Sequence, residues 1–434
     1  MFNLIVWEFL IYLCRFWGGM DKLRLSVYDL RKEREMFREI GLSVICAAGL
    51  GILSQQAYAG NEANTGVKQS FDPQSVVFVT NRDSSDITVI DMKTNTVIDR
   101  IDCGSCSNPH MTMATMDGKR LITTGTQKNY AIIIDLKTME TRKVRLGNAP
   151  EHFMVSHDGG WAYVGNMEEG TVSIVDLTNG KEIKRIAGFY EPHGFSILPD
   201  MSKVYVANLG AHGIGVIDVK SQALVKNIYI GSSHVLASFN LDSRLSEING
   251  IVHPTLTPDG RYIYAADGDS NQVAVIDTRT DRIIKNITVG ENPWRAYMSP
   301  DGTKALVPNN GDQTVSIIDV KTNKVITTFP GGEGMTGVNF VNGGKKAYII
   351  SQPESALYVI DMEKYRELKR IKFGEGLMLE TATTTPDGKT VYLVCSTNNS
   401  VYVIDGTSDN YTRIPDVGLS PWAVEIIGGN SYCH

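Results

Sequence analysis

Four of the eight histidines in the sequence stand beside a proline, or one residue away from it, at the start of an apolar segment. They are His110, His152, His193 and His253, at intervals of 42, 41 and 60 residues. Imidazole groups gathered at one place can bind a transition metal, ligate haem iron or relay protons. The alternative is structural, because a histidine in such a position can simply hydrogen-bond the neighbouring loop. The sequence leaves both interpretations open.

Two further segments of the same kind carry other side chains in place of histidine. They read Pro293-Trp294-Arg295 and Pro421-Trp422. Together with the histidines they define a candidate cluster for ligand binding or proton relay, whose members are His110, His152, His193, His253, Trp294, Arg295 and Trp422. No metal is assigned to this cluster from the sequence.

A pair of cysteines lies upstream of the first of these histidines, in Cys103-Gly-Ser-Cys106. Covalent attachment of c-type haem requires Cys-x-x-Cys-His, because the histidine is the axial ligand. Here Ser107 follows the second cysteine, so we expect no covalent haem in this chain. A local Cys103–Cys106 disulfide is the simplest interpretation, with a Cys-Cys-His metal site and free thiols as alternatives. Cys395 and Cys433 have no comparable spacing.

Motifs for nucleophilic catalysis, phosphate binding, zinc proteolysis and dinucleotide binding are missing from the sequence. Several glutamates are expected on the same face as the histidines, where paired carboxylates would be needed for acid–base chemistry. Most of them are expected to be solvated loop residues. They are Glu151, Glu191, Glu333, Glu375 and Glu380.

A short repeated phrase indicates which elements position these residues. An apolar run ending in Ile-Asp or Val-Asp occurs eight times, at intervals of 44, 41, 42, 59, 42, 42 and 44 residues. Its aspartates are Asp91, Asp135, Asp176, Asp218, Asp277, Asp319, Asp361 and Asp405. A repeat of about forty residues built from short strands is typical of a β-propeller with one blade per repeat.

One repeat, at 192–230, shows four strands separated by turn residues, as a blade requires. Asp-Gly turns recur after the first strand of other repeats and suit a tight hairpin. Eight second strands are predicted, at 76–81, 120–125, 161–166, 203–208, 261–266, 304–309, 346–351 and 390–395. A last strand at 421–427 is predicted to complete the first blade and close the ring. The fold class is therefore an all-β propeller of four-stranded antiparallel blades, eight by count, or seven if one repeat is degenerate.

The innermost strand of each blade lines the central channel, so the candidate cluster is expected at one mouth of that channel. The single long interval, between Asp218 and Asp277, contains an insertion at 231–252 that crosses the same face. Long loops on rigid scaffolds often carry function. We expect a lid or a partner-docking loop, with His234, Phe239, Arg244 and Glu247 as candidate contacts; a decorative insertion is the alternative.

The first 59 residues are expected to lie outside the fold. Basic residues precede an apolar stretch at 40–53, and Ala57-Tyr58-Ala59 offers small residues for a signal peptidase. The interpretation is an extension plus a signal peptide cleaved after Ala59, with Met20 as the true start; an uncleaved anchor is the alternative. An irregular segment at 60–75 and a single propeller domain at 76–430 follow.

The charge of the chain excludes some partners. The formal net charge is −6, and no basic run or stripe appears in the sequence. Nucleic acid and anionic lipid are therefore not expected as partners. No apolar run after the leader is long enough to span a bilayer.

The repeats resemble the YVTN family of secreted β-propellers over roughly 76–427, on Val204-Tyr-Val-Ala-Asn208 and the recurring Val-Ile-Asp and Pro-Asp-Gly. The stretches 265–277 and 289–293 are similar to the d1-haem propeller of cytochrome cd1 nitrite reductases. That resemblance implies a propeller that binds d1 haem or a metal, as an enzyme or in haem maturation. A surface-layer or adhesion propeller is a third possibility within the YVTN family.

The mature size, the expected export, the missing haem motif and the insertion at 231–252 also resemble the propeller (β) subunit of hydrazine synthase. This resemblance implies a non-catalytic subunit without its own cofactor, in a hetero-oligomer with multihaem subunits that carry haem c. Those partners join nitric oxide and ammonium, and the propeller reaches a loop toward their active site. The implied location is the periplasm or an equivalent lumen, the anammoxosome in anaerobic ammonium oxidisers.

Overall fold

The computed structural model of the protein describes residues 71–231 and 249–432. They form a ring of eight antiparallel sheets, which is a β-propeller with eight blades. The prediction of eight blades is confirmed. Helical structure in these residues includes single 3-10 turns at Pro73–Ser75, Thr126–Lys128 and Asn342–Gly344. No helix in this part of the chain is long and apolar enough to cross a membrane.

Blades 1 to 4 each contain four strands, ordered from the innermost strand outward. Blade 1 consists of β32 (Pro421–Glu425), β1 (Val76–Asn81), β2 (Asp86–Asp91) and β3 (Thr96–Asp102). Blade 2 consists of β4 (Pro109–Ala114), β5 (Arg120–Gly125), β6 (Tyr130–Asp135) and β7 (Thr141–Arg145). Blade 3 consists of β8 (Pro150–Val155), β9 (Trp161–Asn166), β10 (Thr171–Asp176) and β11 (Lys181–Ala187). Blade 4 consists of β12 (Pro192–Ile197), β13 (Lys203–Asn208), β14 (Gly213–Asp218) and β15 (Ala223–Tyr229).

Blades 5 to 8 follow the same order. Blade 5 consists of β16 (Thr255–Leu256), β17 (Tyr262–Asp267), β18 (Gln272–Asp277) and β19 (Arg282–Thr288). Blade 6 consists of β20 (Tyr297–Met298), β21 (Lys304–Asn309), β22 (Thr314–Asp319) and β23 (Lys324–Pro330). Blade 7 consists of β24 (Met335–Val341), β25 (Lys346–Ser351), β26 (Ala356–Asp361) and β27 (Arg366–Lys372). Blade 8 consists of β28 (Leu379–Thr384), β29 (Thr390–Cys395), β30 (Ser400–Asp405) and β31 (Tyr411–Ile414), with β33 (Asn430–Tyr432) on its inner edge.

The apolar runs of the sequence become the middle strands of the blades because these strands are covered on both faces. All six residues of β1 are buried, whereas β27 exposes five of its seven residues on the rim. A strand covered by sheets on both sides needs apolar side chains on both of its faces, which explains the continuous Val/Ile/Tyr runs. The hydrophobic core therefore lies between the blades.

Tyrosines on second strands join neighbouring blades at their hairpins. The Tyr205 hydroxyl donates to Asp281 Oδ1 of the next blade at 2.5 Å. The Tyr392 hydroxyl of blade 8 donates to Asn95 Oδ1 of blade 1 at 2.8 Å, across the closure of the ring. Each bond gives a buried phenol a partner and fixes the angle between two blades.

The chain end closes the ring as the sequence predicts. β32 pairs antiparallel with β1, with Val79 opposite Val424. The Thr80 hydroxyl accepts a hydrogen bond from the Ala423 amide at 3.0 Å, which fixes the register deep in the channel wall. The strand ends at Glu425, two residues before the predicted end.

The sequence did not predict β33, which adds a fifth strand to blade 8. It pairs antiparallel with the inner strand β28, with Asn430 opposite Thr384. Asn339 Nδ2, on the inner strand of blade 7, donates to the Asn430 carbonyl at 3.3 Å. The described chain end therefore lies against the inner strands of two blades.

The end of the propeller where inner and third strands finish is called the channel base below. Aspartates close its hairpins by accepting hydrogen bonds from the turn that follows. Asp176, at the end of β10, accepts from the backbone N–H groups of Thr178 and Asn179, both at 2.9 Å. Such Asx turns explain why the phrase Ile/Val-Asp repeats in every blade.

Candidate functional site

The opposite end of the channel is called the channel mouth below, and it holds the predicted cluster. Three of the histidines lie on the inner strands β4, β8 and β12, and Trp422 lies on β32. His253, Trp294 and Arg295 lie in extended segments just before the short inner strands of blades 5 and 6. The fold thus brings all seven predicted residues to one opening, from six successive blades.

Aromatic contacts join four members of the cluster into one row. The ring centroids of Trp422 and His110 are 5.4 Å apart, and those of His110 and His152 are 5.2 Å apart. The rings of His152 and His193 stack with a centroid distance of 3.5 Å. All three histidines are buried, with at most 8% of each residue exposed. These rings therefore fill their part of the mouth by packing on one another.

The fourth histidine, His253, lies close to this row because residue 194 is a glycine. Gly194 follows His193, and a Cβ built on it would lie 2.6 Å from Cδ2 of His253. The Val252 carbonyl accepts from the Gly194 amide at 3.0 Å and also lies 3.0 Å from His193 Nδ1. Burial, together with the nearby Arg295 and His193, holds the pKa of His253 well below its usual value. These surroundings favour the neutral form of the His253 imidazole.

Two guanidinium groups border the cluster, and the sequence pointed to only one of them. The Arg295 guanidinium lies 4.9 Å from the Tyr297 ring centroid, and that of Arg82 lies 4.3 Å from the Trp422 ring. Arg82 Nε also donates to Asn108 Oδ1 at 3.2 Å. Arg82 directly follows β1, so its position at the end of a second strand was the signal that places it at the mouth.

Carboxyl groups at the mouth have pKa values raised by burial. Burial is the main cause for Glu151, opposed by Arg82 and reinforced by Glu168 and Glu191. One Glu151 oxygen, Oε2, lies 3.6 Å from His110 Nδ1, so a carboxyl group and an imidazole stand within ion-pair distance but too far apart for a direct hydrogen bond.

Glu380 occupies the equivalent level on blade 8. It accepts hydrogen bonds from the Ser396 hydroxyl and from Gln352 Nε2, and burial raises its pKa. Glu333 and Glu375 are instead exposed to solvent. The five predicted glutamates thus separate into a buried or half-buried set and a solvated pair.

The donors of the mouth do not fit an enclosed haem or a metal ion. Within residues 71–231 and 249–432, no group of three or more His, Cys, Asp or Glu side chains is arranged to hold a metal. The cavity beside the cluster measures about 180 Å³, against roughly 300–1,000 Å³ for typical small-molecule sites. A macrocycle enclosed in the mouth would have to separate imidazole rings that now pack on one another.

The predicted disulfide is not formed. Cys103 is a buried free thiol that packs in the core between blades 1 and 2, and Cys106 is an exposed free thiol. The interior packing of Cys103 turns its side chain away from solvent, and burial raises its thiol pKa to about 12. Cys395 is also a free, buried thiol, and Cys433 lies outside the described residues.

The candidate docking residues His234, Phe239, Arg244 and Glu247 lie outside the described residues. The described flanks of the insertion contact a group of ion-paired residues, His212, Asp267 and Asp269, that the sequence did not reveal. His212 Nδ1 lies 2.5 Å from Asp267 Oδ1, and His212 Nε2 lies 3.4 Å from Asp269 Oδ2. The hydrogen bond to Asp267 is the main cause of a raised His212 pKa.

Both flanks bond directly to this group. The Ile230 amide donates to the His212 carbonyl at 2.7 Å, and the Asp269 amide donates to the Asn249 carbonyl at 3.2 Å. The two ends of the insertion are therefore anchored at the mouth, on blades 4 and 5. His212 lies shortly after the second strand of blade 4, and Asp267 ends the second strand of blade 5. These positions at the mouth are the signal in the sequence that could have indicated the pair.

Part of the chain is similar to a family of haem domains. A family model described as the Cytochrome D1 heme domain matches residues 71–194, a segment that includes His110, His152 and His193. No curated protein sequence matches the chain.

Two solved structures share the fold. A dihydro-heme d1 dehydrogenase, NirN, in complex with DHE aligns with a TM-score of 0.67 at 16% identity, over 84% of this chain and 78% of that chain. Kuenenia stuttgartiensis hydrazine synthase aligns with a TM-score of 0.50 at 23% identity, over 72% of this chain and 96% of that chain. The chain is thus a β-propeller that resembles both the d1-haem proteins and hydrazine synthase.

Proposed function

We propose that this chain is a non-catalytic propeller subunit of an extracytoplasmic redox complex, comparable to hydrazine synthase, whose partners are multihaem c-type cytochromes. Its channel mouth faces those partners, and the insertion at 231–252 reaches toward their active site. The observation that carries the proposal is the filled mouth. Imidazole and indole rings with centroids 3.5–5.4 Å apart form a packed surface beside a cavity of only about 180 Å³.

The residues of the mouth suit a supporting role in proton-coupled chemistry. Glu151 Oε2 lies 3.6 Å from His110 Nδ1, within ion-pair distance, and the raised pKa of Glu151 brings it nearer to that of an imidazole. A carboxyl and imidazole pair of this kind can hold protons at the mouth without binding a cofactor. Haem chemistry itself would be supplied by the partner subunits.

The test is native purification of the tagged full-length chain with an absorption spectrum of each fraction. We expect c-type haem proteins to co-purify, and we expect the separated chain to be colourless. Deleting 234–250 should abolish co-purification while the circular dichroism spectrum of the propeller stays unchanged. The matched controls are Lys119→Ala and Lys389→Ala at the channel base, both with 72% exposed side chains, which should retain the partners. Normal assembly without the insertion would contradict the proposal.

A second candidate function, binding of d1-type haem by this chain, is favoured by the family-model match over 71–194, and it requires the packed imidazole rings of the mouth to separate. In that case the separated chain itself would show a Soret band. His193→Ala and His253→Ala would remove that band, whereas the exposed His157→Ala at the channel base would not. A chain that purifies alone and colourless would instead support a surface or adhesion propeller and contradict both haem-related functions.

A further inference from the structure

The cavity of about 180 Å³ beside the histidine row lies where blades 3 to 6 meet at the mouth. Its walls are mainly apolar and include Met167, Leu209, Val252 and Pro293. Its size is close to that of a protein cavity of about 150 Å³ that holds one benzene molecule. The space therefore suits a small molecule with an apolar body.

Two polar side chains in the same wall have buried atoms without hydrogen-bond partners in the described part of the chain. They are Oε2 of Glu191 and the indole N–H of Trp294. A buried polar atom left unpaired costs about 1–3 kcal/mol. The Glu191 carboxylate oxygen can accept, and the Trp294 N–H can donate, a hydrogen bond at a cavity that is otherwise apolar. A few polar groups in an apolar pocket are typical of a ligand site.

The backbone at Glu191 follows the blade repeat. Glu191 precedes the proline of its inner strand with a φ of +47°, in the left-handed region. The equivalent residues Asn108, Ala149, Asn292 and Ser420 have φ values of +50°, +51°, +48° and +54°. The conformation is therefore a property of the repeat, and the case for a ligand rests on the cavity and its two unpaired polar atoms.

We propose that this cavity binds a small organic amine in its protonated form, one that also carries a hydrogen-bond acceptor. The ammonium group donates to the Glu191 carboxylate, and the acceptor receives the Trp294 indole N–H. Met167, Leu209 and Val252 cover the apolar body. A cation is the fitting partner because an unpaired, half-buried carboxylate gains most from an opposite charge. The site is distinct from the histidine row and does not depend on the haem-related function.

The test uses the full-length chain and 3-methoxypropylamine as the probe, followed by the indole N–H resonance in nitrogen–proton NMR spectra. The Trp294 signal is identified as the one lost in Trp294→Phe. We expect a saturable shift of this signal, and at least tenfold weaker binding of the uncharged analogue 3-methoxy-1-propanol. Glu191→Gln should weaken amine binding at least tenfold. The matched control Glu333→Gln, at an exposed carboxylate of blade 7, should bind as the unmodified chain does.

Equal binding of the amine and the alcohol would overturn the proposal, as would unchanged binding by Glu191→Gln. Absence of any saturable shift at the solubility limit of the amine would overturn it too. If Glu191→Gln does not fold, Trp294→Phe decides the question through ligand-observed saturation transfer. That variant keeps an aromatic ring but loses the N–H donor, so we expect a loss of affinity of three- to tenfold. Affinity equal to that of the unmodified chain would contradict the assigned donor.

Discussion

Turn aspartates at the channel base and buried glutamates at the channel mouth hold their carboxyl groups in opposite ways. At the channel base, aspartates such as Asp158 and Asp176 accept hydrogen bonds from their own turns, and these bonds lower their pKa values. At the channel mouth, burial raises the pKa values of Glu151, Glu191 and Glu380. The turn aspartates of the base are therefore stabilised in their ionised form, whereas burial disfavours the ionised form of these three glutamates at the mouth.

This difference separates acidic residues that the blade repeat itself requires from those that it does not require. Every blade requires its hairpins, so an aspartate in a turn is explained by the repeat alone. No blade requires a buried carboxyl or a stacked imidazole at its inner strand. Titratable groups that are buried at the cost of their solvation, such as the carboxyl groups and imidazoles of the mouth, are the ones that point to function.

The largest expected effect concerns His212 at the mouth. His212→Ala leaves Asp267 buried without its imidazole partner, and we expect the free energy of unfolding to fall by about 3–5 kcal/mol under conditions in which His212 is protonated. Chemical denaturation measures this loss. The control is His157→Ala at the base, an exposed histidine, for which we expect less than about 1 kcal/mol. Equal losses for the two variants would show that the ion pair contributes nothing special.

The same group predicts a pH dependence. The pKa of His212 is raised in the folded chain, mainly by its hydrogen bond to Asp267. Its contribution to stability is therefore complete below the unfolded pKa of about 6.5 and is lost as the pH rises through the folded pKa. After correction for intrinsic rates, hydrogen exchange of the Ile230 amide should accelerate as the pH rises above that value. Exchange that accelerates only on acidification would contradict the assignment.

The next largest effect concerns the close approach at Gly194. A Cβ there would lie 2.5 Å from the Val252 carbonyl oxygen, so Gly194→Ala must displace backbone. We expect a loss of about 1–3 kcal/mol in the free energy of unfolding. Gly160→Ala at the base is the control, because its nearest neighbour would be a side-chain atom at 3.3 Å. If the base variant is the more damaging of the two, the packing described for the mouth is incorrect.

A smaller effect is expected at the base. Asp176→Ala removes the hydrogen bonds from the Thr178 and Asn179 amides, and we expect a loss of about 1–2 kcal/mol at neutral pH. Because the folded pKa of Asp176 is lowered, its contribution is present above the unfolded pKa and disappears as the pH falls through the folded pKa. Denaturation at pH 7 and at pH 3 should show the difference between variant and parent shrinking.

The smallest effect, with the opposite sign, is expected for Glu380. Its pKa is raised by burial, so the ionised group weakens the fold as the pH rises through that value. Glu380→Gln should therefore leave the free energy of unfolding at pH 7 unchanged or raise it by less than about 1 kcal/mol. Thermal denaturation across pH 4 to 8 measures this. A loss comparable to that of Asp176→Ala would remove the contrast between mouth and base.

Much of the fold was predictable from the sequence because it depends on local, repeated chemistry. Seven of the eight predicted second strands agree with the structure at both ends, and the fifth is shifted by one residue to Tyr262–Asp267. The closing strand near 421 followed from the incomplete first repeat. By contrast, β33 follows two glycines and has no apolar alternation, so nothing in Asn430-Ser-Tyr432 predicted its pairing with β28.

The sequence predicted which residues lie at the mouth, because the topology of the propeller determines this, but it did not predict their contacts. The histidines could be assigned to the mouth because each stands close to the predicted start of an inner strand. The pairing of His212 with Asp267 joins residues 55 positions apart on different blades, which no local pattern encodes. The possible Cys103–Cys106 disulfide stays a prediction: both thiols are free in the structure, and spacing alone does not determine which way a side chain packs. Cys103 belongs to the core between blades.

The central claim, that the mouth and not the base contacts the redox partners, can be tested directly by hydrogen exchange. The natively purified complex is compared with the separated chain. The account predicts slower exchange at the mouth, in peptides covering 82–85, 108–112 and 189–194, with unchanged exchange at the base turns near Asp117, Asp259 and Asp301. Protection confined to the base turns, with the mouth unaffected, would contradict the account.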